Sequence, residues 1–209
     1  MLLSDIEISR LAQAGMIAPY VGRLVREVDS HRTWQDGDRT VSRHGRRRVL
    51  SYGASSYGYD LRLSPKEFLI FRHVPGTVVD PKQFSPANLE PAPLHRDQQG
   101  DYFILPAHSY GLGVAVERLQ LPADVTGICL GKSTIARTGV ILNATPAEAG
   151  WHGHLTLEFS NSSGADVRVY ANEGICQMLF FRGQPCSTTY HDRAGKYQDQ
   201  PEAVTLARI

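Results

Sequence analysis

Apolar and polar residues alternate along much of the chain after residue 49. In the segment WHGHLTLEFSN (151–161), two leucines and a phenylalanine alternate with Thr156, Glu158 and Ser160. Such alternation predicts a half-buried β-strand whose apolar side chains face a core. The sequence therefore places a carboxylate, that of Glu158, on the strand face that looks away from the core.

Short runs of the same kind recur between glycine, proline, asparagine and aspartate residues. They include LRLSPKEFLIF, TVVD, DYFILP, YGLGVAVERLQL, VTGICL, GVILNATP, DVRVYA and CQMLFF. This spacing predicts a compact all-β sandwich or barrel. One short helix is predicted in SDIEISRLAQA (4–14), with Ser4 as its N-cap, Glu7 as the capping-box partner and Gly15 at its end.

Three segments lack such a pattern. Residues 29–48 are polar and predict a surface loop, and residues 84–100, rich in proline, asparagine and glutamine, predict another. After Cys186 the chain turns polar again, which predicts either a frayed end or a flap over a ligand. With no internal repeat or boundary, residues 1–209 are interpreted as one domain.

Composition narrows the class of protein. Of 209 residues, 42% are hydrophobic and 21% charged, and the formal net charge is +1, so neither a nucleic acid nor a membrane surface is an expected partner. No apolar run approaches the roughly 20 residues that span a bilayer, and the N-terminus does not resemble a signal peptide. Three scattered cysteines favour reduced thiols and a cytoplasmic protein.

Two basic stretches could hold phosphate. The first, GKSTIARTG (131–139), resembles the end of a P-loop, but Thr126 stands where that motif needs its first glycine. The turn could still bind a phosphate or sugar through Lys132 and its hydroxyls, or it could simply cap a short helix. The second stretch, Arg46 to Arg48, is interpreted as part of a solvated loop.

Five segments taken together resemble the dCTP deaminases, which share a larger fold family with the trimeric dUTPases. They are SSYGYDLRL, GKSTIAR, EAGWHGHLTLEFSN, YANEGICQMLFF and DRAGKYQDQ, and only residues 29–48 look like an insertion. The resemblance implies a distorted, jelly-roll-like β-barrel of dUTPase type with a short N-terminal helix. It also implies a homotrimer with active sites between subunits. The implied reaction is the hydrolysis of dCTP to dUTP and ammonia, which feeds dUMP and dTTP synthesis.

The resemblance also implies a set of site residues. Glu158 matches the general base, while Ser133 and Arg137 match residues that orient water and the base. Residues 187–209 match a lid that closes over the triphosphate. The implied substrate-binding residues are Lys132, Ser133, Thr134, Ile135, Ala136, Arg137, Glu148, Thr156, Leu157, Glu158, Gln177, Tyr190, Lys196 and Gln200.

The sequence also indicates which group activates the water that attacks the base. One carboxylate can take a proton from water and later return it to the leaving amine. Zinc-dependent nucleobase deaminases carry H-x-E and P-C-x-x-C, but this chain has no H-x-E, and Pro185-Cys186 lacks the second cysteine. We therefore expect no catalytic zinc and no metal-ligating residues, with Mg²⁺ arriving on the triphosphate.

Three other functions remain open at this point. A dUTP diphosphatase would need an aspartate to activate water at the α-phosphate, whereas the short turn NATPAEAGW and Glu158 favour deamination. A bifunctional enzyme would carry out both steps. A non-catalytic nucleotide-binding protein of the same fold is disfavoured by the intact set of Ser133, Arg137 and Glu158.

Overall fold

The computed structural model describes residues 1–72 and 74–209, without the side chains of residues 31–36 and 43. In this part of the chain there are two α-helices, α1 (Asp5–Gln13) and α2 (Ser133–Ala136), and one 3-10 helix, Pro86–Asn88. The strands are, in chain order, β1 (Ile17–Ala18), β2 (Val25–Asp36), β3 (Arg39–Ser55), β4 (Gly58–Phe71), β5 (Leu89–Pro91), β6 (His95–Asp97), β7 (Gly100–Leu105), β8 (Tyr110–Gln120), β9 (Val125–Gly131), β10 (Val140–Asn143), β11 (His152–Asn161), β12 (Val167–Tyr170) and β13 (Gly174–Arg182).

Antiparallel pairing joins most of these strands into one sheet. Its main path runs β10-β11-β8-β4-β13-β9, and the two ends of that path, β9 and β10, lie beside each other. The sheet therefore closes on itself as a distorted barrel. A smaller sheet, β12-β7-β6, lies apart from this path. The predicted mainly β fold with a short N-terminal helix is confirmed. Neither helix in the described residues has the length and apolar character needed to span a membrane.

The alternation seen in the sequence sorts side chains into core and outer face. In β11 the odd-numbered residues Leu155, Leu157 and Phe159 are buried, while the even-numbered ones are half-buried. Cys129 and Cys176 are also buried, as free thiols. The largest fully buried side chains are Tyr59, Phe68, Phe103, Phe159, Phe180, Leu3, Ile8, Met16, Ile17, Leu61, Leu63 and Leu105.

The prediction of a loop over 29–48 is wrong. Strands β2 and β3 form a long antiparallel hairpin, paired from Val25 opposite Tyr52 to Asp36 opposite Arg39. Backbone hydrogen bonds hold such a ladder whatever the side chains are. Because these strands carry polar residues on both faces, the alternation that marks a half-buried strand is missing from the sequence.

Two local predictions also need correction. Residues 84–100 contain the 3-10 helix and the short strands β5 and β6 in addition to loop. The predicted capping box does not form, since the side chain of Ser4 makes no capping hydrogen bond to any described residue. Glu7 instead accepts a hydrogen bond from Arg182 at 2.6 Å, which ties α1 to the end of β13. Gly15 follows the helix at a φ of +99°, as its predicted role requires.

A buried ion pair fastens β4 to β8. The side chain of Glu117 is fully buried, and its two oxygens accept from the Arg62 side chain at 2.7 Å and the Arg62 backbone N–H at 2.8 Å. Burial raises the pKa of Glu117, and the positive charge of Arg62 opposes that rise. The pair stabilises the barrel only while both charges are present.

We expect Arg62→Met to lower the free energy of unfolding by about 3–5 kcal/mol, because it leaves the Glu117 charge buried and unpaired. The double variant Arg62→Met/Glu117→Met should recover most of that loss. Urea unfolding at a fixed protein concentration measures both. Arg96→Met serves as control, since Arg96 is exposed and pairs with Asp101 at the surface, and it should lower the free energy of unfolding far less than Arg62→Met does. A double variant as unstable as Arg62→Met alone would contradict this account.

Candidate active site

The side chain of Glu158 lines a cavity of about 760 Å³, a volume typical of small-molecule sites. Strand β11 forms its floor, and the C-terminal segment forms part of its wall. The lining residues are Phe71, Phe84, Tyr110, Leu112, Thr145, Pro146, Ala147, Glu148, Trp151, Leu155, Thr156, Glu158, Tyr190, Lys196, Tyr197, Gln200, Thr205 and Ala207.

The register of three strands fixes the position of Glu158. It lies opposite Asn143 of β10 on one side and Leu112 of β8 on the other. The pairing with β8 shifts between His154 and Thr156, just before the acidic residue. Such an irregularity re-aims neighbouring side chains, and both Leu155 and Thr156 line the cavity.

Aromatic side chains line the cavity that contains Glu158. The ring of Phe71 packs edge-on against Tyr110, with centroids 5.4 Å apart, and against Phe84 at 5.9 Å. Burial in this surrounding raises the pKa of Glu158. The pKa of the Tyr110 phenol is also raised, by its burial and then by the nearby charge of Glu158. The site therefore favours the protonated carboxyl more than water does.

The C-terminal segment is docked on β11 through several hydrogen bonds. Thr156 donates through its hydroxyl to the Gln200 side chain at 3.0 Å and accepts from the Thr205 N–H at 3.1 Å. The indole N–H of Trp151 donates to the Tyr197 carbonyl at 2.7 Å. Trp151 is buried and packs in the hydrophobic core beside the cavity.

Several residues singled out in the sequence meet in this cavity. Glu158, Thr156 and Glu148 come from the strand and the turn before it. Tyr190, Lys196 and Gln200 come from the C-terminal segment. Here Glu148 is ion-paired with Arg193. The side chain of Leu157 points into the core, so only its backbone can take part in a site.

The predicted nucleotide-binding turn lies elsewhere. No residue of 132–137 is among the described residues that line the Glu158 cavity. Ser133 and Arg137 are exposed. Lys132 donates to the Ser51 carbonyl at 2.9 Å and forms an ion pair with the buried Asp60.

Gln177 lies on β13, near that turn. It is paired across the sheet with Asp60 and Leu130, and its side chain donates to the Ser55 hydroxyl at 3.4 Å. It is not among the described residues that line the Glu158 cavity. One chain thus carries two separate groups of the predicted residues.

Sequence reasoning missed the aromatic wall of the cavity. Phe71, Phe84 and Tyr110 come from the end of β4, from the following segment and from the start of β8. Each follows or precedes an apolar run and looks like an ordinary core residue. Nothing in the local sequence shows that their rings meet beside Glu158.

Comparison with known proteins identifies the chain. The model of the dCTP deaminase-like family matches residues 3–183. The chain belongs to that family. A curated dCTP deaminase from Aromatoleum aromaticum is 45% identical over 208 residues, covering 99% of this chain and 98% of that protein. The dCTP deaminase of Campylobacter fetus subsp. fetus is 52% identical over 162 residues, covering 77% and 83% of the two chains.

A solved structure supports the fold. The 2′-deoxycytidine 5′-triphosphate deaminase from Agrobacterium tumefaciens aligns with a TM-score of 0.51 at 18% identity. The alignment covers 87% of this chain and 48% of that protein. This chain therefore shares the fold of that deaminase.

The raised pKa of Glu158 predicts how stability depends on pH. The folded state holds the Glu158 proton more tightly than the unfolded state does. The contribution of Glu158 to the free energy of unfolding should therefore fall as pH rises from about 4.5 through the raised pKa, and then level off. Glu158→Gln removes the titrating group, so its stability advantage over the wild type should grow across that range and stay constant above it.

Urea unfolding at several pH values measures this difference. Glu158→Asp is the control, because it keeps a carboxyl group at the same place and should keep the wild-type pH dependence. If the difference in the free energy of unfolding between Glu158→Gln and the wild type does not change with pH, the carboxylate is not desolvated.

Proposed function

We propose that this protein catalyses the hydrolytic deamination of dCTP to dUTP and ammonia in the cytoplasm, where the product would feed dUMP and dTTP synthesis. The observation that carries the proposal is the half-buried carboxylate of Glu158, held on a strand at the floor of a nucleotide-sized cavity. The family to which the chain belongs supports the choice of substrate.

The reaction can be followed through one carboxylate. Glu158 takes a proton from a water molecule as the water oxygen attacks C4 of cytosine. That proton passes to N3 of the ring. The remaining proton of the C4–OH group then moves through Glu158 to the exocyclic amine, the C4–N bond breaks as the C4=O bond forms, and ammonia leaves. A raised pKa makes Glu158 a stronger proton acceptor than an exposed glutamate, which suits this work near neutral pH. No zinc takes part in this proposed sequence.

Arg137 and Ser133 would reach the substrate from a neighbouring subunit. Within one chain both are exposed and lie outside the Glu158 cavity. Large apolar side chains on the same sheet, Ile128 and Leu130, are also exposed, which suits a face that is covered on assembly. We therefore propose a homotrimer whose catalytic sites combine the Glu158 cavity of one subunit with the 132–137 turn of the next.

The C-terminal segment would act as a lid over the nucleotide. Tyr190, Lys196 and Gln200 already line the cavity, and the ammonium group of Lys196 can meet the triphosphate. Mg²⁺ would enter bound to phosphate oxygens and water, since it gives up its hydration reluctantly. Closing this segment over the site would exclude bulk water from the reacting centre.

The decisive test is the identity of the products. Incubation of the wild type with dCTP and Mg²⁺ should yield dUTP and ammonia in equal amounts. Glu158→Gln should lower kcat by about 10²–10⁴-fold. It should still bind dCTP, because the substitution keeps the size of the side chain. The wild-type kcat/KM should rise with pH as Glu158 loses its proton, with a midpoint above 4.5.

Other products would assign another function. Additional dUMP and pyrophosphate would mean that the enzyme also cleaves dUTP. Binding of dCTP without any product would mean a non-catalytic nucleotide-binding protein. Near wild-type turnover by Glu158→Gln would remove that residue from the mechanism.

A further inference from the structure

The base of the β2–β3 hairpin encloses a second cavity, of about 640 Å³. It shares none of its described lining residues with the Glu158 cavity. We call it the arginine cavity. Its lining residues are Arg23, Leu24, Val25, Arg26, Glu27, Arg46, Arg48, Val49 and Ser51.

Strand alternation brings the arginines together. In β3, Arg46 and Arg48 point to the cavity side, whereas Arg47 points to the other face. There Arg47 donates to Glu173 at 2.5 Å and to the Gln99 carbonyl at 2.7 Å. The run of three arginines is therefore divided between a structural ion pair and a cavity wall.

The charge in this cavity is poorly balanced. Glu27 is the one carboxylate among the described lining residues, and it pairs with Arg46 at 3.3 Å. The guanidinium groups of Arg23, Arg26 and Arg48 make no ion pair or hydrogen bond with any residue the structure describes. Four positive charges face one negative charge on a chain whose net charge is only +1. A bound anion would relieve the repulsion between them.

We propose that the arginine cavity binds the phosphate chain of a nucleoside triphosphate. A guanidinium group offers two parallel N–H donors that match the oxygens of phosphate, and several such groups suit a ligand with several phosphates. The cavity also adjoins the 132–137 turn, because Ser51 lines it and accepts hydrogen bonds from Lys132.

Two sources could supply this phosphate chain. One is dCTP itself, held at the 132–137 turn, and that case rests on the proposed deaminase function. The other is a second nucleotide that occupies the arginine cavity independently of the substrate. Both ligands offer the cavity the same phosphate groups. One binding experiment therefore tests the site, and competition with dCTP identifies which ligand occupies it.

The probe is inorganic tripolyphosphate, titrated into the full-length protein in a calorimeter at low salt. Arg26→Gln/Arg48→Gln should weaken binding by about ten-fold or more, since charge-assisted bidentate hydrogen bonds are lost. Arg39→Gln/Arg72→Gln is the matched control. It removes the same charge from two exposed arginines outside the cavity and should leave binding within about two-fold of the wild type.

Competition with dCTP then separates the two sources. If dCTP displaces tripolyphosphate and Arg26→Gln/Arg48→Gln raises KM with little change in kcat, the cavity holds the phosphates of the substrate. If both ligands bind together and KM is unchanged, the cavity holds a second phosphate ligand. Either result supports the site.

Three results would overturn the proposal. They are no measurable binding to the wild type, equal weakening by both double variants, and a single-stranded oligonucleotide that binds the cavity more tightly than tripolyphosphate does. Binding is read without turnover, so a protein that fails to deaminate dCTP can still pass this test. Thermal unfolding of both double variants confirms that they are folded.

Discussion

The partial burial of the Glu158 carboxylate is the constraint on which the rest of the site depends. A charged group with little water around it costs free energy, and the fold bears this cost at the floor of a cavity. Strand β11 holds the group in place through pairing with β10 and β8, while Phe71 and Tyr110 line the cavity around it. The docked C-terminal segment completes the enclosure through Thr156 and Gln200.

The outer face of the barrel presents the second group of residues. There the 132–137 turn lies over β4 and β3, anchored by the Lys132 contacts with Asp60 and Ser51. Among the described residues of a single chain, no residue of this turn lines the Glu158 cavity. Assembly of several copies is the simplest way for such separate groups to meet, and it agrees with the exposed apolar residues Ile128 and Leu130.

Much of this arrangement could be predicted from the sequence. Alternation in 151–161 correctly predicted which face of β11 is buried, because one face of that strand packs on a core. The same reasoning failed for 29–48, where both faces are polar and the ladder depends on backbone hydrogen bonds. The Arg62–Glu117 ion pair and the aromatic wall could not be predicted, since their members lie on different segments that only the folded chain brings together.

Five matching segments allowed the sequence to assign residues to a site before any geometry was known. The structure brings Glu148, Thr156, Glu158, Tyr190, Lys196 and Gln200 into one cavity. The 132–137 turn and Gln177 are not among the described residues that line this cavity. A sequence motif records which residues a site uses but not which copy of the chain supplies each one, and this limits prediction from one sequence.

A mixed-subunit experiment measures whether Glu158 and Arg137 from different chains form one active site. Glu158→Gln and Arg137→Ala are each expected to be inactive alone. Co-expressed in equal amounts, they should form mixed trimers in which roughly a quarter of the subunit contacts carry both intact residues. We expect the mixture to regain about that fraction of wild-type dCTP deamination. A mixture no more active than the two variants measured separately would place Glu158 and Arg137 in one chain and contradict the account.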